Sequence, residues 1–314
     1  MKQKQLNKYQ KKQEATISHK SFTLLSVLSV LFLISCQSVL PSSTSFTRSG
    51  TEGIIVKFLA DAPPAQAYPE SQFTIGMEFE NRGTADVSRP LYLLSVDEEF
   101  IQTLNQPKSL SRLRGRNIYN TRGDVAIRSV DAITLPLAAQ SQNQQASVRV
   151  TLCYPYKTEA FATVCVDSDP LGLRKGIKAC TPGVQGLSAS QGAPVAVRQV
   201  QASMIPNEDG VLPQFVITVA NVGTGQVFAQ QRVTEACSSK PIKSEELNVV
   251  QLHAFLGEQE LMCEPSLLHL GQESTTRCQA ADVLQNTGAF TSPLRITLDY
   301  GYTSTINKEI HIKR

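Results

Sequence analysis

The sequence predicts an all-β fold, two antiparallel β-sandwiches in tandem, from its alternation and from an internal repeat. Phe73, Ile75, Met77 and Phe79 alternate with other residues, and so do Phe215, Ile217 and Val219. That period puts every second side chain on one face of a strand. The first run ends in Asn81-Arg82-Gly83-Thr84 and the second in Asn221-Val222-Gly223-Thr224, turn chemistry that stops a strand. Farther on, Arg149-Val150-Thr151-Leu152-Cys153-Tyr154-Pro155-Tyr156 matches Arg295-Ile296-Thr297-Leu298-Asp299-Tyr300-Gly301-Tyr302 at five of eight positions. Asn81 precedes Tyr154 by 73 residues and Asn221 precedes Tyr300 by 79. The same order at similar spacing implies a duplicated domain.

Taken in order, residues 53–180 read as the first sandwich and 195–314 as the second, because short strands punctuated by Gly, Pro and Asn suit antiparallel sheets. Between them, 181–194 is small, polar and glycine-rich, the composition of a linker. Only Ser244 to Leu252 suggests a short helix or turn before a strand. Val164 and Ile310 lie in further alternating runs, which predicts a comparable hairpin at the end of each copy. The pairs Tyr154 with Tyr156 and Tyr300 with Tyr302 fall on one strand face and are expected to pack at sheet ends.

Ahead of the sandwiches, residues 1–35 have the layout of a lipoprotein signal peptide. Six lysines face a single Glu14 in the first 20 residues, and residues 21–35 carry no charge. That apolar run is shorter than the roughly 20 residues of a spanning helix. Leu33-Ile34-Ser35-Cys36 closes it and resembles a lipobox, with Cys36 placed to accept a diacylglyceryl group. Two acyl chains suffice for stable attachment, at about 0.8 kcal/mol per buried methylene. Gln37 after Cys36 fits retention at an outer membrane if the cell has one. Residues 36–52, rich in Ser and Thr, form the tether. Removing a leader of net +5 turns a chain of +3 into one of −2, which argues against a nucleic-acid partner. Trp is absent and aromatics are sparse, so a sugar-stacking platform is disfavoured.

With Cys36 assigned to lipid, six cysteines remain. An even number in an exported chain suggests disulfides. Cys165 with Cys180 and Cys263 with Cys278 have equal separations, each closing a loop of 15 residues. Elimination would then pair Cys153 with Cys237 across the two halves, although six cysteines allow 15 connectivities. Zinc is disfavoured, since no C-x-x-C occurs and His253, His269 and His311 stand singly. No metal or other cofactor is expected.

The alternating strand followed by Asn-x-Gly-Thr resembles CARDB-type and related immunoglobulin-like domains of prokaryotic surface proteins. Most of residues 53–314 is similar to uncharacterised exported microbial proteins, including surface lipoproteins. These open with a segment like Gly53-Ile54-Ile55-Val56-Lys57-Phe58-Leu59 and Ala62-Pro63-Pro64, and they also match Gly192-Ala193-Pro194-Val195-Ala196-Val197. The resemblance implies a seven-stranded immunoglobulin-like sandwich in each half and a role in adhesion or extracytoplasmic assembly. It carries over no catalytic residue.

Chemical motifs are few. Arg122-Gly123-Asp124 matches the integrin tripeptide, but three residues match easily by chance. It sits in a basic insert with Lys108, Arg112, Arg114, Arg116 and Arg128, offset by Asp124 and Asp131. Arg112, Arg114 and Arg116 could touch an anionic surface at about 1 kcal/mol per cation; a solvated, twisted edge is the favoured alternative. Asp167 and Asp169 make an incomplete calcium set and suit a turn better. Asp97-Glu98-Glu99 is an acidic loop, and no Gly-x-Ser-x-Gly elbow occurs. The expected function is therefore a membrane-anchored extracytoplasmic binding or scaffold protein without catalysis, with a protein partner in the envelope. A structural subunit of an envelope complex of pilus or secretion type is the alternative, and a hydrolase accessory a weaker one. The small-molecule ligand, if any, is open.

Overall fold

Eighteen strands and almost no helix build the described residues. The structure, a computed structural model, describes residues 48–314 except 104–107, 174, 239 and 286–287, so Cys36 and the leader lie outside the described residues. The strands are β1 (Ile54–Phe58), β2 (Gln66–Ala67), β3 (Gln72–Asn81), β4 (Leu91–Val96), β5 (Ile101–Thr103), β6 (Lys108–Ser109), β7 (Val125–Thr134), β8 (Asn143–Asp167) and β9 (Val184–Gly186). They continue with β10 (Val195–Asn207), β11 (Gly210–Asn221), β12 (Gln226–Phe228), β13 (Val249–Leu256), β14 (Gln259–Glu260), β15 (Met262–Glu264), β16 (Leu267–His269), β17 (Ser274–Gln279) and β18 (Ala289–Lys313). A single helical turn, Val233–Ala236, and two 3-10 turns, Gln230–Arg232 and Ser244–Glu246, complete the set.

The two 25-residue strands β8 and β18 organise everything else. They pair with each other antiparallel over their whole length, from Asn143 opposite Lys313 to Asp167 opposite Ala289. Val148, Val150, Leu152, Tyr154, Tyr156, Ala160, Ala162 and Val164 alternate along β8 and are buried; Leu294, Ile296, Leu298, Tyr300, Tyr302, Ile310 and Ile312 do the same on β18. Even numbers lie opposite even numbers in this register, so both strands bury the same face. Around them a nine-stranded sheet runs β14-β13-β18-β8-β4-β6, with β2, β12 and β16 added at its margins.

Smaller sheets complete a sandwich-like all-β fold. One has the order β1-β3-β7-β5 and the other β15-β17-β11-β10-β9. Ile54, Ile75, Met77 and Phe79 from the first and Val195, Phe215, Ile217 and Val219 from the second join one continuous core with the buried face of β8 and β18. Each such side chain contributes about 1.5–3 kcal/mol on burial.

The long strands correct two expectations. The repeated Tyr segments do not run into separate hairpins: each lies inside one long strand, and the two strands pair with each other. The tyrosines sit at the middle of that ladder instead of at sheet ends, with Pro155 opposite Gly301 between them. The cause is continuity of pattern. The alternation carries through Pro155 in β8 and through Pro293 and Gly301 in β18 without a turn, so each strand runs on from one half of the fold into the other. The 143–153 run of β8 lies between β4 and the C-terminal run of β18, which also holds β2. The N-terminal run of β18 lies between β13 and the 157–167 run of β8.

The glycine-rich stretch 181–194 contributes β9, which pairs with β10. Its end is buried: Gln191 bonds Ser188 and Val197 through its side chain, and the Thr84 N–H donates to the Gly192 carbonyl at 2.9 Å.

Candidate functional site

The centre of the molecule is a cluster of four tyrosines with the repeated turns folded onto it. The rings lie 5.5–6.4 Å apart, Tyr154 against Tyr156 and Tyr302, and Tyr300 against Tyr156 and Tyr302. These separations suit edge-to-face contacts. Their hydroxyls hold equivalent backbone in the two halves. Tyr154 accepts from the Ile54 N–H at 3.0 Å and donates to its carbonyl, where β1 begins. Tyr300 accepts from the Val195 N–H, where β10 begins, and bonds Thr158, whose hydroxyl donates to the Val195 carbonyl. Tyr156 accepts from Ala85 N–H and Tyr302 from Gly225 N–H. In both turns the Asn side chain closes the loop. Asn81 donates to the Ala85 carbonyl and accepts from Gly83; Asn221 donates to the Gly225 carbonyl and accepts from Gly223. Burial pushes the Tyr154 and Tyr300 phenols well above their ordinary value, so these groups serve as neutral hydrogen-bonding struts.

Other residues singled out in the sequence also hold architecture. Disulfides join Cys153 to Cys237, Cys165 to Cys180 and Cys263 to Cys278. Arg112 pairs with Asp86 at 2.5 Å, Arg114 with Asp124 at 3.2 Å, and Arg116 donates to the Ser49 carbonyl. In the Arg-Gly-Asp tripeptide, Arg122 pairs with Glu80. The Asp124 carboxylate accepts from the Arg114 backbone N–H and side chain and from Asn120, bonds that hold it below the usual carboxylate range. Gly123 has φ +88°, and a Cβ there would sit 1.9 Å from the Asn81 carbonyl oxygen. The three residues thus form a locked turn. Asp167 pairs with Lys178 at 2.6 Å and accepts from the Asp169 N–H, while Asp169 accepts from Leu173. Asp97 accepts from Ser147 N–H. His253 faces Glu260 at 3.1 Å. Among the described residues no group of three His, Cys, Asp or Glu is arranged to hold a metal ion.

Beside the tyrosine cluster lies a polar cleft of about 370 Å³, lined by Arg48, Asp86, Tyr156, Lys157, Glu159 and Asp299 among others. Its ions pair across it, Arg48 with Glu159 at 2.5 Å and Lys157 with Asp299 at 3.4 Å. A neighbouring hollow of about 310 Å³ shares Gln230 and Asp299 with it and adds Glu246 and His253; neither Ser, Thr nor Cys lines that hollow. Arg48, Lys157, Glu159 and Asp299 are thus paired with one another within the cleft.

No known protein family and no curated protein matches this chain. Among solved structures it is similar to the YadV chaperone at a TM-score of 0.20 and 7% identity, over 76% of this chain and 90% of that one. It is also similar to the secreted serine protease VesC from Vibrio cholerae at a TM-score of 0.19 and 11% identity, over 76% of this chain and 47% of that one. The chain thus spans about half of the protease's length. Similarity at this level assigns neither fold family nor activity.

Sequence reasoning missed Glu80 and Gln191. Glu80 is buried at the end of β3, 3.0 Å from Arg122, 3.1 Å from Arg82 and 3.9 Å from Lys57. Its partners come from three segments of the chain, so no local pattern announces it. The one available signal is that Glu78 and Glu80 alternate with the apolar residues of β3.

Proposed function

We propose that this chain is a lipid-anchored, extracytoplasmic binding or scaffold protein without catalysis. In this reading two immunoglobulin-like sandwiches are fused through β8 and β18, and Cys36 carries the lipid. The observation that carries it is the way polar chemistry is spent: the tyrosines, the Arg-Gly-Asp turn, Asp167 and the arginines of the basic insert all bond backbone or counter-ions within the fold. Three disulfides support an oxidising compartment. The envelope-subunit alternative draws on β9, an edge strand whose three residues are all exposed and which could accept a partner strand.

Crosslinking in intact cells tests this, with a C-terminal tag set on a spacer because Arg314 bonds the Leu137 and Ala139 carbonyls. The expected result is a reproducible set of membrane-associated partners that is lost on Cys36→Ala. Mass spectrometry showing an unmodified Cys36 in the mature protein would remove the anchor. Recovery of the protein alone would move the function to adhesion toward ligands outside the cell.

A further inference from the structure

The outer face of the sheet β15-β17-β11-β10-β9 carries polar side chains that the fold does not use. Phe215, Ile217 and Cys278 are fully buried, so by alternation the opposite face takes Gln214, Val216 and Thr218 from β11 and Thr275, Arg277 and Gln279 from β17. The register sets them in rows. Thr275 lies opposite Thr218, Arg277 opposite Val216 and Gln279 opposite Gln214, while Gln201 of β10 extends the Val216 row and Glu264 of β15 lies opposite Arg277. A hollow of about 400 Å³ opens here, lined by Val216, Met262, Glu264, Thr275, Arg277 and Gln279 among others. Among the described residues, the side chains of Arg277, Glu264, Thr275, Thr218 and Gln201 bond no other protein group, and Gln214 and Gln279 share one long contact of 3.5 Å.

The duplicated sheet in the other half is closed at the same positions. Counting back from Asn81 and Asn221, Thr74 corresponds to Gln214, Gly76 to Val216 and Glu78 to Thr218. There Glu78 pairs with Lys57 at 2.9 Å, Thr74 donates to Asp131 at 3.2 Å, and Leu59 covers Gly76, where a Cβ would lie 2.9 Å from the Leu59 side chain. One copy of the sheet spends this face on itself and the other presents it.

The chemistry of the hollow selects its ligand. One cation and one acid leave it without net charge, unlike the clustered cations of a nucleic-acid or anionic-lipid site. Its apolar side chains are Val216 and Met262, too few for the apolar core of a protein interface. What remains is amide, hydroxyl, guanidinium and carboxylate groups on strands about 4.8 Å apart, donors beside acceptors. A polyhydroxylated ligand matches this set, because each hydroxyl both donates and accepts and a ring's C–H face can rest on the two aliphatic side chains. Recognition of this kind needs no aromatic platform.

We infer that the hollow on β15, β17 and β11 binds a neutral glycan chain, with Arg277, Glu264, Gln214 and Gln279 holding its hydroxyls. The inference deepens the binding reading above and rests on it only for export of the chain. Purified mature protein is tested on immobilised mannan, dextran, xylan and galactan, with hyaluronan as the acidic comparison. The expected result is binding to at least one neutral polysaccharide. It should weaken about tenfold or more in Arg277→Ala and in Gln214→Ala combined with Gln279→Ala, and stay unchanged in Ile127→Ser, an exposed position on the first sheet. All these positions but Gln214 and Gln279 are exposed, and an unchanged urea midpoint checks that every variant folds. Binding to none of the four neutral polysaccharides overturns the inference, as does binding to hyaluronan alone or binding that both face variants leave intact. Crosslinked partners lost on Arg277→Ala, with no polysaccharide bound, would assign the face to a protein and overturn it as well. The two readings fail separately: polysaccharide binding with an unmodified Cys36 removes the anchor and keeps the glycan site, whereas no binding with the membrane partners intact removes the glycan site and keeps the scaffold.

Discussion

Pro155 lies directly opposite Gly301 in the β8–β18 ladder, and Tyr154–Tyr302 and Tyr156–Tyr300 flank that pair. The sequence repeat aligns Tyr154 with Tyr300 and Tyr156 with Tyr302, so the antiparallel register puts a local two-fold through the Pro155–Gly301 pair. The sequence repeat and the strand pairing thus share one centre. Because β8 and β18 each run through both halves, the halves should unfold together. Calorimetry of the mature protein is expected to give one transition with matching calorimetric and van't Hoff enthalpies. A chain ending at residue 190 should fail to fold, since it lacks the run of β18 that covers β8 residues 143–153. Two separate transitions would show that the halves are independent.

Gly301 also has a steric reason to be glycine. A Cβ there would meet the Phe228 ring at 2.2 Å, and Phe228 is buried where β12 pairs with β18. Gly301→Ala should cost about 1–3 kcal/mol through overpacking, read as a lower urea midpoint at unchanged m-value.

The tyrosine hydroxyls can be ranked. Tyr154→Phe leaves both the Ile54 N–H and its carbonyl without that partner in a fully buried setting, and should cost about 1–3 kcal/mol. Tyr302→Phe removes a single bond from the partly buried Gly225 N–H and should cost about 0.5–1.5 kcal/mol. Equal losses in chemical denaturation would contradict this ranking.

Acid and alkali should act on different groups. At Glu80 burial pushes the carboxyl up, but the hydrogen bonds from Arg122 and Arg82 outweigh it and hold the folded value below 4.5. A depressed folded value contributes stability that is complete above the unfolded value and is lost as pH falls through the folded one. Glu80→Gln should therefore flatten the acid limb of the stability profile. The raised phenols of Tyr154 and Tyr300 work the other way: their contribution is complete below pH 10 and declines as pH rises toward the folded values. In a spectrophotometric titration these two should ionise only with unfolding.

The disulfides should differ in effect. Cys153–Cys237 spans 84 residues and Cys165–Cys180 spans 15. In the chain-entropy model, removing the first costs about 4.6 kcal/mol and the second about 3 kcal/mol. Paired Cys→Ala variants compared by urea denaturation check the order; the wider loop costing less would point to native-state strain at Cys153–Cys237.

The strands and the duplicated turn were legible in the residues, because period-two alternation and the Asn-x-Gly-Thr turn are local signals read within about ten positions. Pairing partners are not local. The residues favour a turn at Asp167 and a solvated edge for the basic insert, but the partners, Lys178 for Asp167, Asp124 for Arg114 and Asp86 for Arg112, are met only in the fold. Glu80 shows only its alternation with the apolar residues of β3 and Gln191 no pattern, since their partners are distant in the chain or met only when the backbone folds back.

The amino-acid order alone specified an all-β chain with two copies of one strand-and-turn unit, since alternation and turn chemistry act over a few residues. Which strands meet was settled only in three dimensions. Two long strands with the same apolar face bury most surface by lying against each other, and that choice placed the tyrosines at the centre and left Leu171, Leu173 and Ile177 in solvent.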